Sequence, residues 1–267
     1  GQINSLKYYA EIYNTDKILS AEDKFLVTSY ISTIEKDKPY KDYVSYRRLN
    51  AENVNVVLSE FDIFNLKSGN YFITIETRDR ENNLLAKNRI FFQRSNPRIQ
   101  IRREDLSEMN IENTFAQKIT NLDTLGHFIA CLDPIADEQE KSFILANKSS
   151  RDIETLQKFF YKFWHERNSL EPEQEWIRYL NEVNKVDLAY STSISRGFET
   201  DRGRVYLKYG PPNAISESYN EPSAYPYEIW HYYELENGQR NKRFVFYTKD
   251  IVTNDFTQLH SDVSGEL

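Results

Sequence analysis

The sequence predicts a mixed fold: an N-terminal all-β sandwich followed by an α+β unit of helices and an antiparallel sheet. Three observations predict it. Short apolar runs of period two recur up to Pro97, helix-period apolar stripes fill the middle of the chain, and alternating aromatic strands separated by turn residues return near the C-terminus.

In the first segment Tyr8, Ala10 and Ile12 share one parity, Phe25-Leu26-Val27 and Tyr30-Ile31 form the next apolar runs, and Val54, Val56 and Leu58 again share a face. The clearest hairpin is Tyr71 to Thr77, a polar turn Asp79 to Asn83, then Leu84 to Phe92, entered through the turn Leu66 to Asn70. Short strands with one apolar face must be covered by a second layer, which is the argument for a sandwich of immunoglobulin-like or fibronectin-like kind. Ser95-Asn96-Pro97 interrupts the pattern, since proline has no amide donor and asparagine favours a turn. The expected division is a sandwich over residues 1–98 and an α+β domain over 99–267.

In the second segment Leu122, Leu125, Phe128 and Ile129 have helix spacing, and Asp133-Pro134 marks a new turn or helix start. A stronger stripe runs through Ile153, Leu156, Phe160, Phe163 and Trp164, with Glu154 and Lys158 placed for an i, i+4 pair. Pro172 opens a further stripe of Trp176, Tyr179, Leu180, Val183 and Val186. Beyond it, Val205 and Leu207 alternate with Tyr206 and Lys208, so a strand is expected that stops at Gly210-Pro211-Pro212-Asn213. Ile229, His231 and Tyr233 alternate with Glu228, Trp230 and Tyr232, and Phe244 to Tyr247 follows the turn Asn237-Gly238. These make a three-stranded meander, and the acidic tail Ser261 to Leu267 is its least secured part.

Composition narrows the function classes. A formal net charge of −7 over 267 residues argues against phosphate-backbone attraction, so no nucleic acid is expected. The single Cys131 can form neither an intrachain disulfide nor a thiolate metal cluster. No uninterrupted apolar run reaches the roughly 18 residues of a membrane span, and no signal-peptide core is present, so the stretch reads as soluble, as a mature periplasmic protein would.

One cluster is denser in unusual residues than the rest: Gly197-Phe198-Glu199-Thr200-Asp201, then Arg202-Gly203-Arg204-Val205-Tyr206, Tyr209-Gly210-Pro211-Pro212 and Tyr227-Glu228-Ile229-Trp230-His231-Tyr232. This resembles the GWxTD-domain family, uncharacterised proteins found mainly in Bacteroidetes-type bacteria, over about Asp105 to Phe256. Phe198 stands where the signature has Trp, keeping an aromatic body and losing the indole donor. The resemblance implies the periplasm or cell envelope as location and a cell-envelope protein or outer-membrane-associated complex as partner.

Signals of chemistry are sparser. His165-Glu166 begins a zinc-protease motif, but Ser169 stands where its second histidine belongs, and His127, His231 and His260 have no ligand spacing. Cys131 lies one helical turn from His127, which alone does not make a nucleophile. Glu199 and Asp201 are paired acids, but Arg202 and Arg204 beside them point to an ion-pair network. No phosphate-binding glycine loop or nucleophile elbow occurs, and no catalytic residue, cofactor or metal is expected. Asp201 is expected as an orienting acceptor with Arg202 or Arg204 as its donor, and Phe198, Tyr209 and Trp230 as packing or recognition groups. The expected function is a noncatalytic cell-envelope protein-binding or scaffold component, a secretion-associated assembly being one setting for it, the alternative being a periplasmic enzyme that uses Asp201 or Glu199 on a glycan or peptide.

Overall fold

The computed structural model describes residues 3–20, 22–34, 37–40 and 43–266. The chain divides into two compact units, one running up to Ile99 together with Glu236–Gly238, the other comprising Gln100–Leu235 and the chain from Gln239 onward.

The first unit holds β1 (Ser5–Tyr13), the short α1 (Thr15–Ile18), β2 (Lys24–Thr33), β3 (Val44–Asn50), β4 (Val54–Asp62), β5 (Gly69–Arg78) and β6 (Leu84–Arg94). Two antiparallel sheets result, a ribbon β1-β4 and a four-stranded sheet β3-β2-β5-β6. The period of two explains their packing: Phe25, Val27, Ile31, Tyr71 and Ile73 point from the larger sheet towards Val57, Phe61 and Tyr8 of the ribbon. The expected hairpin is β5-β6, whose register sets Ile73 opposite Ile90 and Tyr71 opposite Phe92.

The second unit places helices ahead of a four-stranded sheet. They are α2 (Arg103–Ser107), α3 (Leu122–Ala130), α4 (Glu138–Asn147), α5 (Ile153–Arg167), α6 (Pro172–Tyr190) and α7 (Asp201–Tyr209), followed by β7 (Ala214–Ser218), β8 (Tyr227–Glu234), β9 (Arg240–Tyr247) and β10 (Thr257–Ser261). The apolar stripe of α5 fills the helical core: the Phe160 ring meets Trp176 of α6 edge-on at 4.9 Å, and Phe159 stacks on Phe143 of α4 at 4.3 Å. Arg167 closes this layer with a two-pronged bond to the buried Glu140, 2.8 Å on each oxygen.

Two expectations are corrected here. Val205 to Lys208 is not a strand but the middle of α7, because Thr200 caps the helix by accepting from the Gly203 amide at 3.1 Å. The helix lies between two cores, so Val205 packs with the sheet aromatics and Leu207 with Val183 and Val186 of α6, and alternate residues are buried without any pleat. The sheet gains β7 and β10 in its place, giving the order β10-β9-β8-β7. The tail is likewise secured: Val263 is buried, and the Glu266 side chain is only 2% exposed. Leu267 lies outside the described residues.

Truncating the central aromatic tests this core. Phe160→Ala is expected to lower the stability of the second unit by about 3–5 kcal/mol, read as a shift of its denaturant midpoint.

Candidate functional site

The segment Gly197–Thr200 is built by close backbone approach. A Cβ on Gly197 would sit 2.1 Å from the Val186 carbonyl oxygen, and one on Gly203 would sit 1.8 Å from the Gly197 carbonyl oxygen. Only glycine at both positions lets α6, the turn 197–199 and α7 touch main chain to main chain. Thr200 completes the joint, its hydroxyl donating to the Gly197 carbonyl at 2.7 Å while accepting from the helix amide. Phe198 is buried, and its amide donates to Asp187 Oδ1 of α6 at 3.2 Å.

Asp201 does accept a bond, but from the Gln258 amide of β10 at 2.7 Å, whereas Arg202 and Arg204 reach other acidic groups. Arg202 and Glu228 form a buried pair, both side chains 6% exposed, at 2.8 Å. The second prong of Arg202 donates to the Asn254 carbonyl at 3.0 Å and to its side-chain oxygen, and the guanidinium lies 4.0 Å from the Phe256 ring centroid and 5.0 Å from that of Tyr190. Glu228 also accepts from the Trp230 indole at 3.0 Å and the Tyr219 hydroxyl at 3.0 Å. Arg204 donates at 2.7 Å to Glu266 and to Gln258 Oε1, and Lys208 and Tyr209 each donate to Glu266 at 2.7 Å.

The expected residues thus fall into two internal networks, Arg202 with Trp230 around Glu228, and Arg204 with Tyr209 around Glu266. The sequence alone does not join them to their acceptors, which lie 26 and 62 residues from their arginines. A signal for the first was present: Glu228 shares strand parity with Trp230 and Tyr232, and that parity is the buried one.

A family model for the GWxTD domain matches residues 101–262. The chain belongs to the GWxTD-domain family. No curated protein and no solved structure matches it. In this GWxTD-domain protein the signature, together with Gly203 two residues beyond it, builds a joint: two glycine contacts, a helix cap, a strand amide held by Asp201, and an aromatic wedge.

Phe198 also reaches a cleft of about 820 Å³ formed by α3, the end of α4 with the loop 147–151, and the signature turn. Leu122, Ile129, Ile144 and Leu156 give it apolar walls. Five basic side chains line it, Lys141, Lys148, Arg151, Arg196 and Arg204, against the three acids Asp123, Asp133 and Glu199. Among the described residues, the side chains of Lys141, Lys148 and Arg151 have no hydrogen-bond or ion-pair partner.

His127 stands in the cleft with the Arg196 guanidinium 3.0 Å from its ring. Burial, then the Arg196 charge, lowers its pKa, so the imidazole is neutral at neutral pH and accepts from Arg196. Cys131 does approach His127, at 3.7–3.8 Å, but burial and then Asp187 push the thiol up to about 12, which leaves no thiolate to react. His165 packs against Tyr161, and no group of three metal-ligating side chains occurs among the described residues.

The two networks generate separate predictions. Arg202→Ala leaves Glu228 buried without its cation and is expected to cost about 3–5 kcal/mol; combined with Glu228→Gln, the losses should be strongly non-additive in a double-mutant cycle. For Glu266, burial raises the carboxyl pKa, but the Lys208 and Arg204 charges with the Lys208 and Tyr209 hydrogen bonds outweigh it, so the net shift is downward. A lowered folded pKa contributes stability above the unfolded value and loses it as pH falls through the folded one. Glu266→Gln should therefore cost about 1.5–3 kcal/mol at neutral pH, with a gap to the parent that narrows below about pH 4 in denaturation midpoints.

Proposed function

We propose that this GWxTD-domain protein is a noncatalytic binding component of a cell-envelope assembly, and that the second unit holds an acidic segment of its protein partner in the cleft beside the signature turn. The observation that supports this reading is the charge of the cleft. In a chain of net charge −7, three cations without a partner among the described residues line an apolar-walled depression of about 820 Å³. Such a site recognises carboxylates by their charge and a chain by its apolar contacts. The envelope and secretion setting rests on the family resemblance.

A second reading, a periplasmic enzyme acting on a glycan or peptide, draws on neutral His127 and on Glu199, which share the cleft. It requires turnover that His127→Ala abolishes in a folded protein.

The binding reading is tested with a fluorescently labelled oligoglutamate peptide and the intact chain at low ionic strength. Reversing Lys148 and Arg151 to Glu together should weaken binding about tenfold, with unchanged circular dichroism, and added salt should weaken the parent complex in the same direction. Equal affinity in parent and variant, or no binding at low salt, overturns it.

A further inference from the structure

Among the described residues the first unit is a sandwich with unequal layers: four strands on one side and two on the other. Strands in a sheet lie about 4.8 Å apart, so a two-stranded ribbon cannot cover a four-stranded face. The shortfall is visible at β6. Its inward parity, Ala86, Asn88, Ile90 and Phe92, follows from its pairing with Thr77, Ile75, Ile73 and Tyr71, yet Ile90 is 62% exposed while its partner Ile73 is 6% exposed.

The uncovered strip forms a groove of about 300 Å³. On one side it is lined by Tyr8, Tyr9, Ala10, Glu11, Ile12 and Tyr13, six consecutive residues of β1 and none of β4. Both parities of a strand line a space only where that space runs along the strand's edge rather than its face. The groove is therefore the place beside β1, above β5 and β6, that one more strand would occupy.

The two edges of the ribbon are treated differently. The outer edge of β4 is closed by Arg47 of β3, which donates to the Leu58 carbonyl at 3.0 Å and to the Ser59 hydroxyl at 3.0 Å, an inward-pointing charge of the kind that blocks strand addition. Along Leu6–Tyr13 no side chain of the described residues caps the β1 backbone, and β1 pairs with β4 through nine consecutive residues without a bulge, proline or glycine. Among the described residues its outward donors and acceptors form an uninterrupted unpaired row. The outer face of the same ribbon is mixed: exposed Tyr9 is set opposite Leu58 and exposed Tyr13 opposite Val54, with Glu11 between them accepting from both tyrosine hydroxyls.

We propose that β1 is a strand-acceptor edge: an extended segment of a partner protein adds to β1 as the third strand of the ribbon. Its alternate apolar side chains cover Ile90 and Ala86, and the body of the partner lies over the exposed Tyr9, Tyr13 and Leu58 of the outer face. The row of free main-chain groups selects an extended polypeptide, since neither a glycan nor a folded helix presents matching donors and acceptors at strand spacing. The groove behind the row selects apolar residues at every second position, and the exposed Tyr9, Tyr13 and Leu58 extend the same interface over an area that a short strand alone does not cover.

Random peptides displayed on phage and panned against the intact protein test this. The expected result is enrichment of sequences that alternate apolar and polar residues. The best of them, made as a synthetic peptide, should bind at least tenfold more weakly to Ile90→Glu, a substitution at an exposed position, and equally well to the cleft variant with Lys148 and Arg151 reversed. Addition of that peptide should slow amide hydrogen exchange within β1. No enrichment of alternating sequences, binding indifferent to Ile90→Glu, or unchanged β1 exchange overturns the proposal. A free protein that sediments as a dimer and becomes monomeric with Ile90→Glu also overturns it, in favour of a second copy of this chain on the same edge. The cleft reading stands or falls separately, because its variant touches no residue of the groove.

Discussion

The second unit depends on one buried ion pair. Removing a guanidinium and a carboxylate from water costs several kcal/mol per ion, and their attraction offsets this only when their remaining polar groups are also bonded. Around Arg202 and Glu228 nearly all of them are: Asn254 takes the second prong of the arginine, and Trp230 and Tyr219 donate to the carboxylate. Of the pair's polar atoms, only Arg202 Nε lacks a partner among the described residues. The faces of Phe256 and Tyr190 shield the cation from water without demanding hydrogen bonds. Because Asn254 itself donates to the Ala189 and Ser191 carbonyls at the end of α6, the pair fixes α6, α7, β8 and the loop 250–256 relative to one another.

The glycines explain why the pair can form. Arg202 is the second residue of α7, so its position is set by how closely the first turn of that helix approaches α6. Gly197 and Gly203 remove the side chains that would hold the two apart, and the Thr200 cap ends the turn where the helix begins. A signature of glycine, aromatic, threonine and aspartate is therefore a set of geometric requirements around one buried charge. Of the signature glycine, aromatic, threonine and aspartate, only the aromatic Phe198 also lines the cleft, together with the intervening Glu199, while Thr200 and Asp201 serve the joint.

How far the sequence could reveal this varies with the range of each interaction. The hairpin β5-β6 and the helices α3, α5 and α6 were legible because their signals are local: a polar turn between period-two runs, apolar stripes at 3.6 spacing, and Pro172 at a helix start. Val205 to Lys208 misled because four residues hold barely one helical turn, over which a helix buried on two sides imitates a strand. Thr200-Asp201 was the better guide, being a cap and a first-turn acid. The tail misled for the opposite reason. Acidic residues near a terminus commonly remain in water, and nothing near Glu266 in sequence indicates that Arg204, Lys208 and Tyr209 converge on it from α7. The sequence marks Arg202, Arg204, Tyr209 and Trp230 as one neighbourhood but does not show their acceptors, since ion pairing across dozens of residues leaves no periodic trace.

These internal pairings also shape the electrostatics of the cleft. Glu228, Glu266 and Glu140 are neutralised inside the fold by Arg202, by Arg204 with Lys208, and by Arg167. Those cations are spent on structure, and Lys141, Lys148 and Arg151 face the cleft against a chain whose acids outnumber its bases by 41 to 34. At physiological ionic strength charges act over about 8 Å, so an approaching acidic segment senses the local cluster at contact and the negative average elsewhere. Under the proposed binding function the repulsive background is then as important as the attractive cluster. It penalises misplaced encounters more than it strengthens the correct one, and the charge pattern contributes orientation while the apolar walls of the cleft contribute the larger share of affinity.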